Sequence, residues 1–481
     1  MALKHGINTY KSPTGFAAVQ EAAVGIPFFV GAWPCHAGKT GFKGEPQMVT
    51  SWEEAVSLGG YSDAWLDGEN KPKWTLCEAL YSHLKLFCMT PAVVYNVYDP
   101  GKHKKAVEET SFNVSDHVAR LPYEAIDNGN LVVKNDSKTL VKDTDYTVYY
   151  DYETDTCNIE LLEGDNYNAE TLKIAYDIAD LSSITAKTVE FAVEQIEKVM
   201  GLYGIVPDLI CIPGWSEDPT VAAVMAAKAP NINSLFKGKA VADIPSGEGG
   251  ASDYNEVLNW KNKNGYTSED EIDCWPLVKV GNRTFHLSVI ACGEMAKVDN
   301  GNGGCPYESP SNKGLAITGA VNAKGEEITL NLQQADIISV NAGVVTVLNF
   351  RQWVLWGNYT GCYPASTDVS KTFICTNRMM DWICNTFVLT YWNYVDKPIT
   401  KPLIDAICNS FNSWLNGLTH ENKLYGGEIK YIPDLNPLTK LIGGSFRLDT
   451  NMASPVPAQQ INMYCEYDVN IMESALNGKE G

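Results

Sequence analysis

Residues 207–228 read PDLICIPGWSEDPTVAAVMAAK, and the parsing of this stretch decides the fold. PDLICIP is a strand; a short turn follows it, and DPTVAAVMAAK is a helix. Asp218 before Pro219 marks the helix start. The carboxylate can accept from free N–H groups of the first turn, where proline has no N–H to lose. Ser216, placed between strand and helix, invites comparison with the nucleophile elbow G-x-S-x-G. That pattern breaks at Asp218, where the sharp turn needs a small residue, so capping is the simpler reading.

The same alternation extends in both directions. Upstream lie an amphipathic helix, KTVEFAVEQIEKVMGLYG, and earlier still VGIPFFVGAW, the helix-like TLCEALYSHLKLF and AVVYNVYD. The last is an unbroken β-branched and aromatic run, as expected of a parallel strand buried on both faces. Downstream come strand KAVADIP, helix YNEVLNWKN and strand FHLSVIA. This is the grammar of a doubly wound α/β sheet. It is interrupted after DPGKHKK and resumes near Thr188; between them LVVKND, TDYTVYYDYE, CNIELLE and TLKIAYDI are short strands separated by turn residues. The fold class expected is therefore a multidomain α/β and α+β chain. Residues 21–100 and 186–340 form a discontinuous α/β domain, and 101–185 form a β-rich insertion.

Beyond YESPSNKGL, strands are expected near EITLNL and GVVTVLNF, then two helices. Met380, Ile383, Phe387, Val388, Tyr391 and Val395 recur at helical spacing, as do Leu403, Ile404, Ile407, Phe411, Trp414, Leu415 and Leu418. Thr400 can cap the second helix, with Pro402 in its first turn, and the short connection implies an antiparallel pair. A Gly- and Pro-rich stretch then leads to strand SFRLDTN. Residues 341–450 make a C-terminal α+β domain. Residues 1–20 and 451–481 are extended arms. In the latter, Ile461, Met463, Cys465, Tyr467, Val469 and Ile471 alternate with mostly polar residues, the period of a half-buried strand.

Composition narrows the function. The chain has 481 residues, 45% of them hydrophobic, enough for two or three cores. Thirty-seven basic against 58 acidic residues leave a net charge of -21, which repels phosphate backbones and anionic membrane faces. No apolar run reaches the roughly 20 residues of a membrane span, and the N-terminus lacks a signal-peptide core. A soluble chain made in the cytoplasm is expected. Thirteen scattered cysteines read as small buried hydrophobes in a reducing compartment.

Motifs for chemistry fail one by one. GAWPCHAGKT resembles a phosphate-binding loop, but the first glycine of G-x-x-x-x-G-K-S/T would be Trp33, and GFKGEP follows Thr40 in place of a helix. The seven histidines have no Cys or His neighbours at ligand spacing; His286 reads as a hydrogen-bonded residue of a core strand. DNGNGG does not follow the calcium-loop order and reads as a turn. SEDEID and GKHKK read as solvated faces. No catalytic, cofactor or metal residue is nominated. Strand-competent arms at both ends, in contrast, either dock on their own body or pair with a neighbouring chain, whose sheet would then satisfy their backbone groups. Pairing with different neighbours would be head to tail and produce rings or helical filaments.

Taken in order, HGINTY, VGIPFFVGAWP with MVTSWEEAVSLGG, PDLICIPGWSEDPTVAAVMAAKA, AVADIP, SPSNKGL, LNFRQWVLWGNYT, ICTNRMMDWICN and PVPAQQINMYCEYDV resemble the contractile tail sheath proteins of myophages, phage-tail-like bacteriocins and related injection systems. The resemblance covers nearly the whole chain outside the insertion. It implies a subtilisin-like α/β domain without that enzyme's triad, a β-sandwich insertion on the outer surface and an inner C-terminal domain. It also implies that neighbouring subunits exchange their arms. His5, Gly6, Ile7 and Tyr10, with Ile461, Met463, Cys465, Tyr467, Val469 and Ile471, then belong to inter-subunit linker strands, FRLDTN is a home strand, and SPTG and SPVP are hinges.

The implied partners are further copies of the chain in a helical homopolymer, a tail tube protein, and baseplate and tail terminator proteins. No cofactor, nucleic acid or membrane insertion is implied, and the setting is a virion tail or tail-like particle. The implied action is repacking from an extended, metastable helix to a shorter and wider one, driven by roughly a few kcal/mol per subunit. Two other readings are an α/β hydrolase using Ser216 and a non-contractile structural protein.

Overall fold

The computed structural model describes residues 18–68 and 71–476. Its first strands are β1 (Pro27–Gly31), β2 (Gln47–Val49) and β3 (Ala92–Asn96), with helices α1 (Trp52–Gly59) and α2 (Thr75–Leu80) between the second and third. β1 and β3 are parallel, with Phe28 opposite Val93 and Gly31 opposite Asn96; β2 lies antiparallel on the outer side of β3. Every residue of β1 and β3 is buried, so these apolar runs face core on both sides. Residues 35–46, with the Gly-Lys-Thr sequence, form a loop in which Thr40 Oγ1 donates to Leu58 O (2.8 Å). No helix follows it until α1.

The chain then leaves this sheet and builds another: β4 (Lys104–Ser115), β5 (Val118–Pro122), β6 (Ala125–Ile126), β7 (Val132–Asn135), β8 (Lys138–Thr139), β9 (Tyr146–Asp151), β10 (Thr156–Leu161) and β11 (Thr171–Ala179). Their order is β8-β7-β11-β4-β5-β10-β9, with β6 also on β11, and every pairing is antiparallel. Ala119, Leu121, Val133, Ile159, Leu172 and Ile174 make a core separate from that of the first sheet. The four strands expected between 131 and 178 are all present. β4 was not anticipated, because most of its residues are polar and exposed and it carries no apolar alternation. This second sheet rests on the first through Tyr123: its hydroxyl accepts from Tyr61 N–H (3.1 Å), and its carbonyl lies 3.0 Å from His36 Nε2.

After α3 (Ala186–Val193) and α4 (Glu197–Tyr203), the chain returns to the first sheet with β12 (Leu209–Cys211), α5 (Pro219–Lys228), β13 (Lys239–Asp243), α6 (Val257–Asn264) and β14 (Glu271–Cys274). The sheet order is β14-β13-β12-β1-β3-β2, all parallel except β2. Strand order reverses between β1 and β12. As the sequence predicts, Asp218 caps α5, its Oδ1 accepting from Thr220 N–H at 2.9 Å.

Two expectations fail here for reasons of burial. β14 takes the second half of the acidic run SEDEID, all of which was expected to be a solvated face. Instead Glu271 and Asp273 are 1% and 0% exposed, and the buried Lys261 of α6 lies 3.3 Å from Asp273, so a counter-charge from the preceding helix admits carboxylates to the interior. FHLSVIA, read as a strand, contributes only Phe285 to one; β15 (Leu277–Val280) and β16 (Arg283–Phe285) precede α7 (Leu287–Gly301). That helix is buried on nearly all sides, which erases the amphipathic period that would have revealed it.

β17 (Gly319–Val321) completes a three-stranded sheet on β15. The strand expected at EITLNL is absent: α8 (Leu332–Asp336) starts there behind a capping box of Asn331 and Gln334. A hairpin of β18 (Thr346–Phe350) and β19 (Gln352–Trp356) leads to α9 (Val369–Thr372), α10 (Ile374–Tyr391) and α11 (Lys401–His420). The last two are antiparallel, with Trp382 on Trp414 at 5.2 Å and Tyr391 Oη donating to Ile407 O at 3.2 Å. Thr400 caps α11 as expected. β20 (Gly426–Lys430) and β21 (Asp449–Ala453) then form a second hairpin around α12 (Leu438–Ile442), and α13 (Val469–Leu476) ends the described chain.

α10 is bolted to the first sheet by buried charges. Arg378 bridges Asp208 (2.8 Å) and Asp299 (2.5 Å), and Lys239 bridges Asp270 (2.5 Å) and Asp381 (2.6 Å). Asp299, read as part of a turn, is one of these interior partners.

Candidate functional site

An open parallel sheet binds ligands beyond the carboxyl ends of its strands, where strand order reverses. In this chain that place is filled by its own side chains. Ser216 is fully buried; its hydroxyl accepts from Asp243 N–H (3.0 Å) and lies 3.3 Å from Asp243 Oδ2. Ser288 donates to the same carboxylate from its hydroxyl (2.5 Å) and its N–H (2.9 Å). His286 lies outside any strand, just before α7, with Nδ1 3.0 Å from both carboxylate oxygens of the fully buried Glu78. Burial opposes the charge on His286. Glu78 beside it, with Asp243 and Glu217 further off, more than offsets that and pushes its pKa up to about 10. Glu217 is pushed up to about 7 by burial, against the attraction of His286.

This cluster has the residue types of a hydrolase without the geometry. The serine hydroxyl is paired with Asp243 and the imidazole with a different carboxylate, Glu78, so the serine–histidine pair of a hydrolase triad is not formed. Among the described residues no group of three or more His, Cys, Asp or Glu is placed to hold a metal, and no helix is long and apolar enough to cross a membrane.

The arms present a different kind of site. His5, Gly6, Ile7 and Tyr10 lie outside the described residues. The segment that follows them is fastened along α10: Gln20 N–H donates to Thr390 Oγ1 and Ala22 N–H to Thr386 Oγ1, both at 3.0 Å, while Trp382 Nε1–H donates to Ala22 O at 2.8 Å. At the other end Ser454 is buried, and Gln459 makes the last anchoring contacts. Its Oε1 accepts from Tyr359 Oη (2.7 Å) and its Nε2 donates to Asn358 Oδ1 (2.9 Å). Tyr359 is held in a stack with Tyr363 and Phe373. The free arm thus begins after SPVP, the stretch expected to be its hinge.

Every residue from 460 to 476 is exposed. The strand expected over 461–471 does not form: Ile461, Met463, Cys465 and Tyr467 have no paired strand, and Val469 and Ile471 are in α13. A ladder needs a partner's N–H and C=O groups, and the arm meets none among the described residues, whereas a helix closes its hydrogen bonds internally.

A receptive surface lies elsewhere on the same chain. α10, α11 and the β20–β21 hairpin enclose a groove of about 910 Å³ lined by Phe387, Tyr391, Leu403, Phe411, Phe446 and Leu448. β21 runs from Asp449 to Ala453, at the end of the expected home strand and two residues beyond it. Its partner β20 lies in the Gly-rich stretch that the sequence reading passed over. The alternation of apolar residues in the arm signalled that a strand was available; the groove that could take one is assembled from α10, α11 and the β20–β21 hairpin together and left no local signal.

No family model matches the chain. It is 26% identical over 496 residues to the tail sheath protein of Burkholderia phage BcepMu, covering 96% of each chain. Among solved structures, it resembles the sheath of an extracellular contractile injection system in its contracted state, with a TM-score of 0.59 and 13% identity over 98% of this chain and 99% of the other. It also resembles the contracted helical sheath of the anti-feeding prophage, with a TM-score of 0.58 and 14% identity over 97% and 100%. The sheath tail protein from Desulfitobacterium hafniense gives a TM-score of 0.51 at 13% identity over 89% and 93%.

Proposed function

We infer that this chain is a structural subunit of a contractile tail sheath, and that many copies polymerise helically around a tail tube. The observation that carries this reading is end-to-end similarity to a phage tail sheath protein, 26% over 96% of both chains, on a fold matched by contracted sheaths. The crevice closed by Ser216, His286 and Glu78 speaks against the hydrolase reading.

In this reading residues 21–100 and 186–340 are a subtilisin-like body, 101–185 are an outer β-sandwich, and 341–450 are the inner domain toward the tube. The arms, 1–20 and 451–481, are exchanged between copies. Support for the exchange comes from the exposed arm with its alternating apolar side chains and from the apolar groove beside a two-stranded hairpin. A two-stranded sheet is marginal alone, and added strands would complete it. Contraction would then be a repacking of bodies about persistent strand contacts, with no nucleotide consumed. Baseplate and terminator proteins would cap the polymer, whose setting is a phage tail or tail-like particle.

Electron microscopy of the purified full chain tests this reading. Tubular helical assemblies are expected, and deletion of residues 460–481 or 1–12 should abolish them. Assemblies of normal length from either truncation would reject the linker role of that arm.

A further inference from the structure

The loop over 35–46, which holds no phosphate motif, has a use in the fold: it seats the eight-stranded sheet. The chain enters that sheet through residues 97–103 and leaves it through 180–185. Between these crossings Tyr123 and Glu124, where β5 turns into β6, reach back to the first sheet. The Tyr123 hydroxyl accepts from Tyr61 N–H (3.1 Å), Glu124 pairs with Lys73, and Ser62 Oγ donates to Asp155 Oδ1 (3.1 Å). Gly60, at φ +71°, makes room for the tyrosine: a Cβ there would stand 3.1 Å from its hydroxyl and 2.9 Å from Pro34 O. His36 of the loop closes the joint. Its Nε2 lies 3.0 Å from Tyr123 O, so Nε2–H donates to that carbonyl. Four rings pack on the imidazole, with centroids 5.6–6.0 Å away: Trp74 before α2, Tyr98 after β3, Tyr123, and Tyr150 in β9. Among the described residues the buried Nδ1 has no hydrogen-bond partner.

We propose that His36 is a proton-operated latch: neutral, it holds the eight-stranded sheet against the first, and a proton on Nδ1 releases that sheet as a rigid body on its two crossings. The added N–H would find no acceptor among the described residues, and its charge would be enclosed by rings. The facing carboxylates are engaged elsewhere: Glu124 with Lys73, Asp155 with Ser62, and Asp99 with Gly101 N–H. The Cys35 thiol bonds Tyr98 O, and burial pushes the phenols of Tyr98, Tyr123 and Tyr150 upward, so they stay neutral. Burial lowers His36 from 6.5 to about 4, although Tyr123 O and Glu124 oppose the fall. Once released, the imidazole regains its ordinary 6.5. The docked sheet is therefore favoured fully above pH 6.5, and each unit of pH lost from there toward about 4 multiplies the released fraction by about ten. Other groups do not mimic this window. Burial raises Asp155, which favours the docked state as pH falls. Burial also opposes the charge on Glu124, but Lys73 more than offsets it, so that bridge weakens only below 4.5. His103, lowered by burial, accepts from Asp99 N–H within the first crossing, outside the joint.

Amide hydrogen exchange on the full, unassembled chain tests the latch. Tyr61 N–H, whose acceptor lies across the joint, should lose protection by about 50-fold between about pH 7.5 and 4.5, after correction for intrinsic rates. Ile159 and Leu172 in the second sheet and Phe29 in the first should keep theirs. Parallel loss at those three amides would mean unfolding in place of release, and would overturn the proposal. His36→Gln has no proton to gain, and its amide can still donate to Tyr123 O, so its Tyr61 protection should stay level over the same range. Equal slopes in the two chains, or a level profile in the wild type, would also overturn it. Deuterium exchange at the His36 Cε1 position in the wild type reads the imidazole's own titration, whatever the variant does. A midpoint well below 6.5 is expected, and one at 6.5 would sink the latch.

Discussion

His286 illustrates how far a single residue is legible. Its position in an apolar stretch indicated an interior, hydrogen-bonded histidine, which it is. Its partner, Glu78, lies 208 residues away, and nothing local announces it. Since Glu78 is fully buried, His286→Ala strands a carboxylate in the core and should cost about 3–5 kcal/mol in chemical denaturation. Glu217 predicts a pH effect of its own. Its folded pKa of about 7 exceeds the ordinary 4.5, so the folded state holds this proton more tightly than the unfolded state. The stability it contributes is complete below about pH 4.5 and is lost as pH rises through 7. Glu217→Gln should therefore match the wild type near pH 4 and exceed it at pH 8 in urea midpoint. Equal midpoints for the two chains at both pH values would refute the shift. Ser216 stands where a nucleophile elbow would place a serine, but the pattern already breaks at Asp218; the structure adds that its hydroxyl is buried against Asp243, which its neighbours along the chain do not reveal.

At the scale of elements, caps and periodicity were reliable where a helix keeps one face exposed. α5 and α11 start behind Asp218 and Thr400 as read, and the α10–α11 pair is antiparallel. Where an element is buried on all sides, as α7 is, or polar on most of its surface, as β4 is, the period disappears and the reading failed. The N-terminal segment depends on side chains that no pattern marks: the Thr386 and Thr390 hydroxyls on α10 stand in for a neighbouring strand. Thr386→Val leaves the buried Ala22 N–H without an acceptor and should cost about 1–3 kcal/mol. Protease sensitivity near residue 20 should rise with it. A Thr386→Ser variant, which keeps the hydroxyl, should restore resistance.

For the whole molecule, the decisive property is incompleteness: residues 460–476 form an arm that none of the described residues covers, while a groove of matching character stays open on the same chain. Strand addition along β21 makes a parity prediction. Thr450 shares the groove face, so a cysteine there should meet alternate residues of the incoming strand at about 4.5–5.5 Å between Cβ atoms. In assembled Thr450→Cys chains, oxidation should yield a covalent ladder with the native Cys465 or, once Cys465→Ser removes it, with a single cysteine at one of positions 461, 463 or 467. Cysteines at 462, 464 and 466 should stay unlinked, because they face the other side; a ladder only at those even positions would reverse the assigned face. By itself the sequence determined the parallel α/β body, its interruption by antiparallel strands, the paired C-terminal helices and the strand-like period of the terminal arm, since apolar spacing and caps are properties of neighbouring residues. Only the tertiary structure decided that Glu271 and Asp273 go inside against Lys261, that the reversal point of the sheet is plugged, and that residues 469–476 are helical in the isolated chain. It also decided that the Asn412 side chain bonds both backbone groups of Ile429 in β20. Each of the first two depends on side chains that local apolar spacing does not report, and the plug at the reversal point on partners as far apart as Glu78 and His286.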